Sequence, residues 1–186
     1  MTATGLSLTE GAVYYISVKA ENGEGLFSSL ATTNGQIVDV TAPALVFNNP
    51  EESGWHTSDF YIDISDNDNL SPSITCEFMV EKYYGTSWVE TKAWTTRACN
   101  NVSSALITVG SSGYCNRAGG NYCRVNVKTR DSAGNESDVA RMFSIDWTPP
   151  VAGVVTPANH ATLSYVSGTF DVSTSFTEDT TAIVSC

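Results

Sequence analysis

The chain has 186 residues, 41% of them hydrophobic, and sets 20 Asp plus Glu against 9 Lys plus Arg, a formal net charge of -11. That balance argues against nucleic acid as a partner, because phosphate binding draws its affinity from clustered Lys and Arg. No apolar run approaches the ~18 residues that span a bilayer, so membrane insertion of this segment is not expected. Helix-period segments are almost absent. Short alternating runs recur instead between clusters of Gly, Asn, Asp, Ser and Pro. In chain order, Tyr14, Ile16, Val18 and Ala20 share one face, and Phe60, Ile62 and Ile64 alternate with Tyr61 and Asp63. Ile74, Cys76, Phe78 and Val80 then alternate with Thr75, Glu77, Met79 and Glu81, and Cys123, Val125 and Val127 with Arg124, Asn126 and Lys128. Period-2 patterning of this kind buries one face of an antiparallel sheet and wets the other. The expected class is all-β.

An internal repeat organises these strands. The segment from Tyr14 to Ser28 aligns without gaps on Cys123 to Ser137, pairing Val18 with Val127, Lys19 with Lys128 and Gly25 with Gly134. Each copy continues to a matching exit, Val38-Asp-Val-Thr-Ala-Pro43 and Ile145-Asp-Trp-Thr-Pro-Pro150, and the two exits lie 107 residues apart (150 minus 43). That is the length of one β-sandwich domain. Three units are expected: residues 1–43 as the last strands of one domain, 44–148 as a complete sandwich, and 149–186 as the first strands of another. Met1 then reads as the edge of a fragment, with no signal-peptide pattern after it.

Two sets of residues carry a family resemblance. Leu8-Thr-Glu-Gly11-Ala-Val-Tyr14 and the strand after it resemble the E-to-F corner of a fibronectin type III domain, where a Tyr hydroxyl bonds to backbone just upstream. Cys76, Trp94, Cys99, the turn Asp131-Ser-Ala-Gly-Asn135 and the exit Ile145-Asp-Trp-Thr-Pro149 are similar to the bacterial Ig-like repeats of large secreted and surface proteins. The resemblance implies tandem Ig-like or fibronectin type III β-sandwich domains, and it implies a Cys76–Cys99 disulfide. Cys115–Cys123 is the matching second pair, since each pair brackets one local excursion. The alternative is Cys76–Cys123 with Cys99–Cys115, two of the three connectivities that four cysteines allow being thus in play. Cys186 falls at the position equivalent to Cys76, so its partner is expected beyond the end of the chain. Five cysteines without a Cys-x2-Cys spacing, and with only two histidines, favour an oxidising compartment over a zinc site.

No cofactor is expected, with calcium as the one candidate. Asp63, Asp66 and Asp68 crowd hard oxygen ligands into an apparent turn, and Asp39 and Asp146 in the exits offer a second arrangement. The competing reading is an Asx turn that caps its own backbone. Catalysis finds no support: no nucleophile elbow, zinc-binding helix or phosphate loop occurs. His56 and His160 sit in turn contexts about one repeat apart, as structural equivalents.

Trp55, Tyr83, Tyr84, Trp88 and Trp94 are numerous for one small domain. Trp55, Trp88 and Trp94 are candidates for a sugar-stacking platform, against the alternative that Trp88 and Trp94 pack in a hairpin and the core. Asn101 and Asn135 head glycosylation patterns that matter only in a glycosylating host. The expected function is a non-catalytic spacer or adhesion repeat of an extracellular or cell-surface protein. Its partners would be neighbouring repeats, and surface glycans or proteins. The alternative is a carbohydrate-binding accessory module of a secreted hydrolase.

Overall fold

The computed structural model describes residues 5–153, 173–178 and 180. His160, Cys186, the strand expected from Thr169 and the stretch Val154–Pro157 lie outside them. Every regular element among the described residues is a β-strand.

Residues 5–43 form two small antiparallel ladders. β1 (Val13–Tyr14) pairs with β4 (Gln36–Ile37), and β2 (Ser17–Val18) with β3 (Ala31–Thr32). The Thr9 amide donates to Tyr14 Oη at 2.9 Å and fixes the corner before β1. Leu6, Tyr15, Ile16, Val18, Leu26, Phe27 and Ile37 are all exposed here. Two-stranded ladders alone do not close a core.

A β-sandwich comes next. β5 (Ala44–Asn49), β6 (Trp55–His56), β7 (Phe60–Asn67), β8 (Thr75–Tyr84), β9 (Ser87–Thr96), β10 (Asn101–Ile107), β11 (Gly119–Arg130) and β12 (Glu136–Ile145) build two sheets. One runs β10-β7-β5 and the other β6-β12-β11-β8-β9. All pairings are antiparallel except β6 with β12. Inward positions alternate as the sequence pattern dictates: Ile62 and Ile64 on β7 face Phe78 and Val80 on β8, Val125 and Val127 on β11, and Phe143 and Ile145 on β12. Phe143 is fully buried and meets Phe60 edge-to-face at 5.0 Å.

The chain changes sheets between β5 and β6, and Arg141 on β12 fixes that crossing. Its guanidinium donates to the carbonyls of Phe47 at 2.7 Å, Asn48 at 3.3 Å and Pro50 at 2.6 Å, and lies 4.5 Å from the centre of the Phe47 ring. Carbonyls at the end of β5 that would otherwise need water are thus tied to the other sheet. After the sandwich, β13 (Val151–Ala152) pairs with β14 (Phe176–Thr177).

Two disulfides close loops within the sandwich: Cys76 with Cys99, and Cys115 with Cys123. Both fit an oxidising environment. Neither joins one sheet to the other. That task falls to a buried ion pair, Asp66 on β7 with Arg97 just after β9, whose side chains are both fully shielded from solvent.

Candidate functional site

The turn between β11 and β12 is written Asp131-Ser-Ala-Gly-Asn135, and its chemistry comes from those letters. Asp131 Oδ1 accepts the amides of Gly134 at 2.6 Å and Asn135 at 2.9 Å, while the Asp131 amide donates to the Asn135 carbonyl at 3.1 Å. Gly134 takes φ +99°, a region that L side chains rarely adopt. The same turn occurs earlier. Asn22 Oδ1 accepts the Leu26 amide at 2.9 Å, and the Asn22 amide donates to the Leu26 carbonyl at 3.0 Å. Both partners are displaced by 109 residues (131 minus 22, 135 minus 26). The exits match too: the Thr41 amide donates to Asp39 Oδ1 at 3.3 Å, and the Thr148 amide to Asp146 Oδ1 at 3.1 Å, 107 residues on (146 minus 39).

Where the first exit meets the second turn, several loops converge. Asn135 Nδ2 donates to the carbonyls of Asp39 at 3.2 Å and Thr41 at 3.5 Å, and to Asp131 Oδ2 at 2.8 Å. Ser71, in the β7–β8 loop, donates through its hydroxyl to Asp39 Oδ2 at 3.1 Å and accepts the Ser132 amide at 3.3 Å. Glu10 Oε1 accepts Thr41 Oγ1 at 2.5 Å and Asn69 Nδ2 at 3.0 Å. Ser137 donates to the Pro43 carbonyl at 2.6 Å. The linker is therefore held by side chains from both flanks.

Inside this junction Asp39, Asp68 and Asp131 each offer one carboxylate oxygen, all within 4.8 Å of one another. That spread suits a Ca²⁺ ion, whose ligands sit at roughly 2.3–2.6 Å from the centre. None of the three takes part in an ion pair among the described residues. Asp68 Oδ1 accepts the amide of Leu70 at 2.9 Å and that of Ser71, but Asp68 Oδ2 is buried without a donor. Burial works to raise the Asp131 carboxyl. The hydrogen bonds from the Asn135 side chain and from the amides of Asn135, Gly134 and Ala133 outweigh it and hold the group below the ordinary carboxylate range. Asp131 is thus anionic at neutral pH. Three clustered carboxylates repel one another unless a cation joins them.

No family model matches the sequence, and no curated protein or solved structure matches it.

The set Asp63, Asp66 and Asp68 does not come together as one ligand group, because β7 extends to Asn67 and its pleat sends neighbours to opposite faces. Asp63 accepts Asn48 Nδ2 at 3.1 Å and Asn49 Nδ2 at 3.5 Å. Asp66 points inward to Arg97. Asp68 alone reaches the junction, where it joins Asp39. Asp146 caps its own exit turn through the Thr148 amide and hydroxyl.

The three tryptophans do not share a surface. Trp55 lies on β6 and is 50% exposed, while Trp88 and Trp94 lie on β9, at the opposite edge of the five-stranded sheet. Four strand spacings separate those edges by roughly 19 Å. Trp88 is covered by the Arg124 guanidinium at 4.3 Å and Trp94 by the Lys128 ammonium at 4.5 Å. Arg124 in turn pairs with Glu81 at 2.7 Å, and Lys128 with Glu77 at 3.1 Å. This outer face is a cation–aromatic ladder, a packing role for both rings.

His56 stacks on Phe60 at 3.8 Å and meets Phe143 edge-on at 5.4 Å, and burial lowers its imidazole pKa. It is part of the core wall. Asn135 commits the nitrogen a glycan would need to the linker carbonyls, whereas Asn101 is exposed with its Oδ1 accepting the Ser103 amide at 2.7 Å.

Proposed function

We propose that this chain is a structural spacer or adhesion segment of an extracellular multidomain protein, built from Ig-like repeats and stiffened by calcium at the junction of residues 5–43 with 44–148. The observation that carries the reading is the recurrence of one hydrogen-bonded turn and one exit at a spacing of about one sandwich, 109 and 107 residues. Three further features support it. Tyr14 makes its upstream backbone bond. A three-stranded and a five-stranded sheet face each other in an order that an Ig-like sandwich would show. Asp39, Asp68 and Asp131 gather where the linker is gripped. A spacer acts by geometry: it fixes the distance and direction between the domains on its two sides. Calcium would serve here as electrostatic cement, replacing repulsion among three carboxylates by shared coordination. The accessory-module alternative has less support, because Trp55 lies on the edge opposite Trp88 and Trp94, and those two rings are covered by Arg124 and Lys128.

Calcium at a hundredfold excess over its dissociation constant should stabilise the folded chain by about 2.7 kcal/mol. Scanning calorimetry with and without chelator should show this as a melting shift of roughly 10 °C. Asp68→Asn should abolish the shift while leaving the chelated melting temperature nearly unchanged. Small-angle scattering should report a narrower distribution of lengths with calcium. Identical melting curves and identical scattering in calcium and chelator would remove the cation from this reading.

A further inference from the structure

Cations are scarce in this chain, so their placement is informative. Of nine Lys and Arg, four (Arg97, Arg124, Lys128 and Arg130) stand in ion pairs among the described residues, and Arg141 binds backbone carbonyls. Lys82 and Arg117 make no ion pair with a carboxylate among the described residues, and they line the same pocket, together with Tyr84, Gly85 and Asn116. Its volume is about 360 Å³, within the range of small-ligand sites.

The pocket is built, not incidental. Lys82 lies directly opposite Cys123 in the β8–β11 register, and Cys123 is bonded to Cys115, the residue before Asn116. Both cysteines are fully buried, so the disulfide pins the Asn116–Arg117 loop over the end of β8. Arg117 is held further by a hydrogen bond from Nη1 to the Tyr83 carbonyl. Its guanidinium lies 4.4 Å from the Tyr122 ring centre and 5.5 Å from that of Tyr84. The Lys82 ammonium lies 6.0 Å from the Tyr84 ring centre. Tyr84 is 67% exposed at the tip of the β8–β9 hairpin. Asn116 Oδ1 is buried and accepts no hydrogen bond among the described residues.

We propose that this pocket binds a carboxylated sugar, a uronic acid or similar acidic saccharide unit. The carboxylate would sit between Lys82 and Arg117, the ring's C–H face against Tyr84, and a hydroxyl would donate to Asn116 Oδ1. Each simpler ligand leaves part of the site unmet. An inorganic anion suits the two cations but leaves Tyr84 unused, and a fully deprotonated one such as sulfate also sets acceptor against acceptor at Asn116. A neutral sugar uses Tyr84 and Asn116 but desolvates two cations without compensation. A hydroxylated ring bearing a carboxylate meets all four groups. The spacer reading requires no ligand, so this inference goes beyond it and stands on separate residues.

The test is a titration of the full chain followed by amide NMR, with D-glucuronate, D-glucose, acetate and phosphate as the probes. Glucuronate should saturate shifts confined to residues 82–85 and 116–117, with roughly millimolar affinity for a ligand of this size. Glucose and acetate should each bind about tenfold more weakly or less, since each lacks one half of the recognised chemistry. Lys82→Gln and Tyr84→Ala should each weaken glucuronate about tenfold with the remaining spectrum unchanged, the exposed Tyr84 position providing a variant that folds. Phosphate binding as tightly as glucuronate, or glucuronate binding insensitive to Tyr84→Ala, would reduce the pocket to a general anion site and overturn the assignment. Absence of saturable glucuronate shifts in these residues would overturn it outright, while leaving the calcium and scattering results untouched.

Discussion

Replacing Arg97 with methionine is expected to destabilise the sandwich by about 3–5 kcal/mol, the cost of leaving one member of a buried ion pair unpartnered. The pair is unusually complete. Arg97 Nη1 and Nη2 donate to Asp66 Oδ2 and Oδ1 at 2.8 and 2.6 Å, Nη1 also reaches Ser104 Oγ at 3.1 Å, and Nη2 reaches Thr129 Oγ1 at 3.0 Å. Nε donates to the Glu77 carbonyl at 3.2 Å. Asp66 further accepts the Asn100 amide at 2.8 Å and the Thr129 hydroxyl. These partners come from both sheets, so removing the guanidinium unlocks one end of the sandwich as well as stranding a charge. Thermal melting should fall by roughly 15 °C or more. The double change Asp66→Leu with Arg97→Met should recover much of that loss, because no charge is then left behind. A shift of only a few degrees in the single variant would mean that water replaces the guanidinium freely.

The same pair sets an acid limit. Burial pushes the Asp66 carboxyl upward, but hydrogen bonds from Arg97, the Asn100 amide and Thr129, with the Arg97 charge, outweigh it and hold the pKa below its ordinary value of 3.8. A folded pKa below the unfolded one stabilises fully above the unfolded value, and the contribution is lost as pH falls through the folded one. Changes in urea midpoint should therefore owe nothing to Asp66 between about pH 7 and 5, and its contribution should decline below about pH 4. In Arg97→Met the sign reverses. Burial then dominates, the Asp66 pKa rises, and the variant should regain stability as acid protonates it.

Loss of the Cys76–Cys99 disulfide, as Cys76→Ala with Cys99→Ala, is expected to cost about 3.4 kcal/mol from loop-closure entropy over its 23-residue separation. The Cys115–Cys123 bond spans 8 residues and should cost about 2.5 kcal/mol. Denaturant midpoints of the two double variants would rank them. Cys99 lies two residues beyond Arg97, so the first disulfide also positions the guanidinium. A cycle combining Arg97→Met with the cysteine changes should accordingly be non-additive. Strict additivity would show that the disulfide and the ion pair act independently.

Strand parity was legible in the sequence because burial repeats every second residue. Ile62 and Ile64, Phe78 and Val80, and Val125 and Val127 all face inward as their alternation implies. Asp66 occupies the next inward position after Ile64, and that parity was the available sign that it belongs to the core. Its neighbours Asn67, Asp68 and Asn69 look like a turn, and the turn does start there, too late for a carboxylate cluster at 63–68. Arg97 carries no local sign of burial, since the carboxylate that pairs with it, Asp66, lies 31 residues away and Thr129 lies 32 away. The junction was half visible. On sequence grounds Asp39 and Asp68 are candidate calcium ligands in separate arrangements, and Asp131 reads only as a turn residue. Pairing of β8 with β11 and the grip of Asn135 on the linker bring the three together, and such pairing is not encoded in any short window. The pocket of Lys82 and Arg117 was hidden for the same reason: a disulfide carries one residue to the other.

The disulfides also decide how the chain would answer to a pull. Residues 44–148 drawn straight would measure roughly 370 Å, at about 3.5 Å per residue. Loops closed at Cys76–Cys99 and Cys115–Cys123 cannot unspool while the bonds hold, which withholds roughly 100 Å of that length. Force entering at Ala44 and leaving at Ile145 would peel β5 and β12 first, and stop short at the covalent loops. In a reducing medium the same segment would yield its whole contour. Oxidation state, rather than fold stability alone, therefore sets the maximum reach of residues 44–148 once torn.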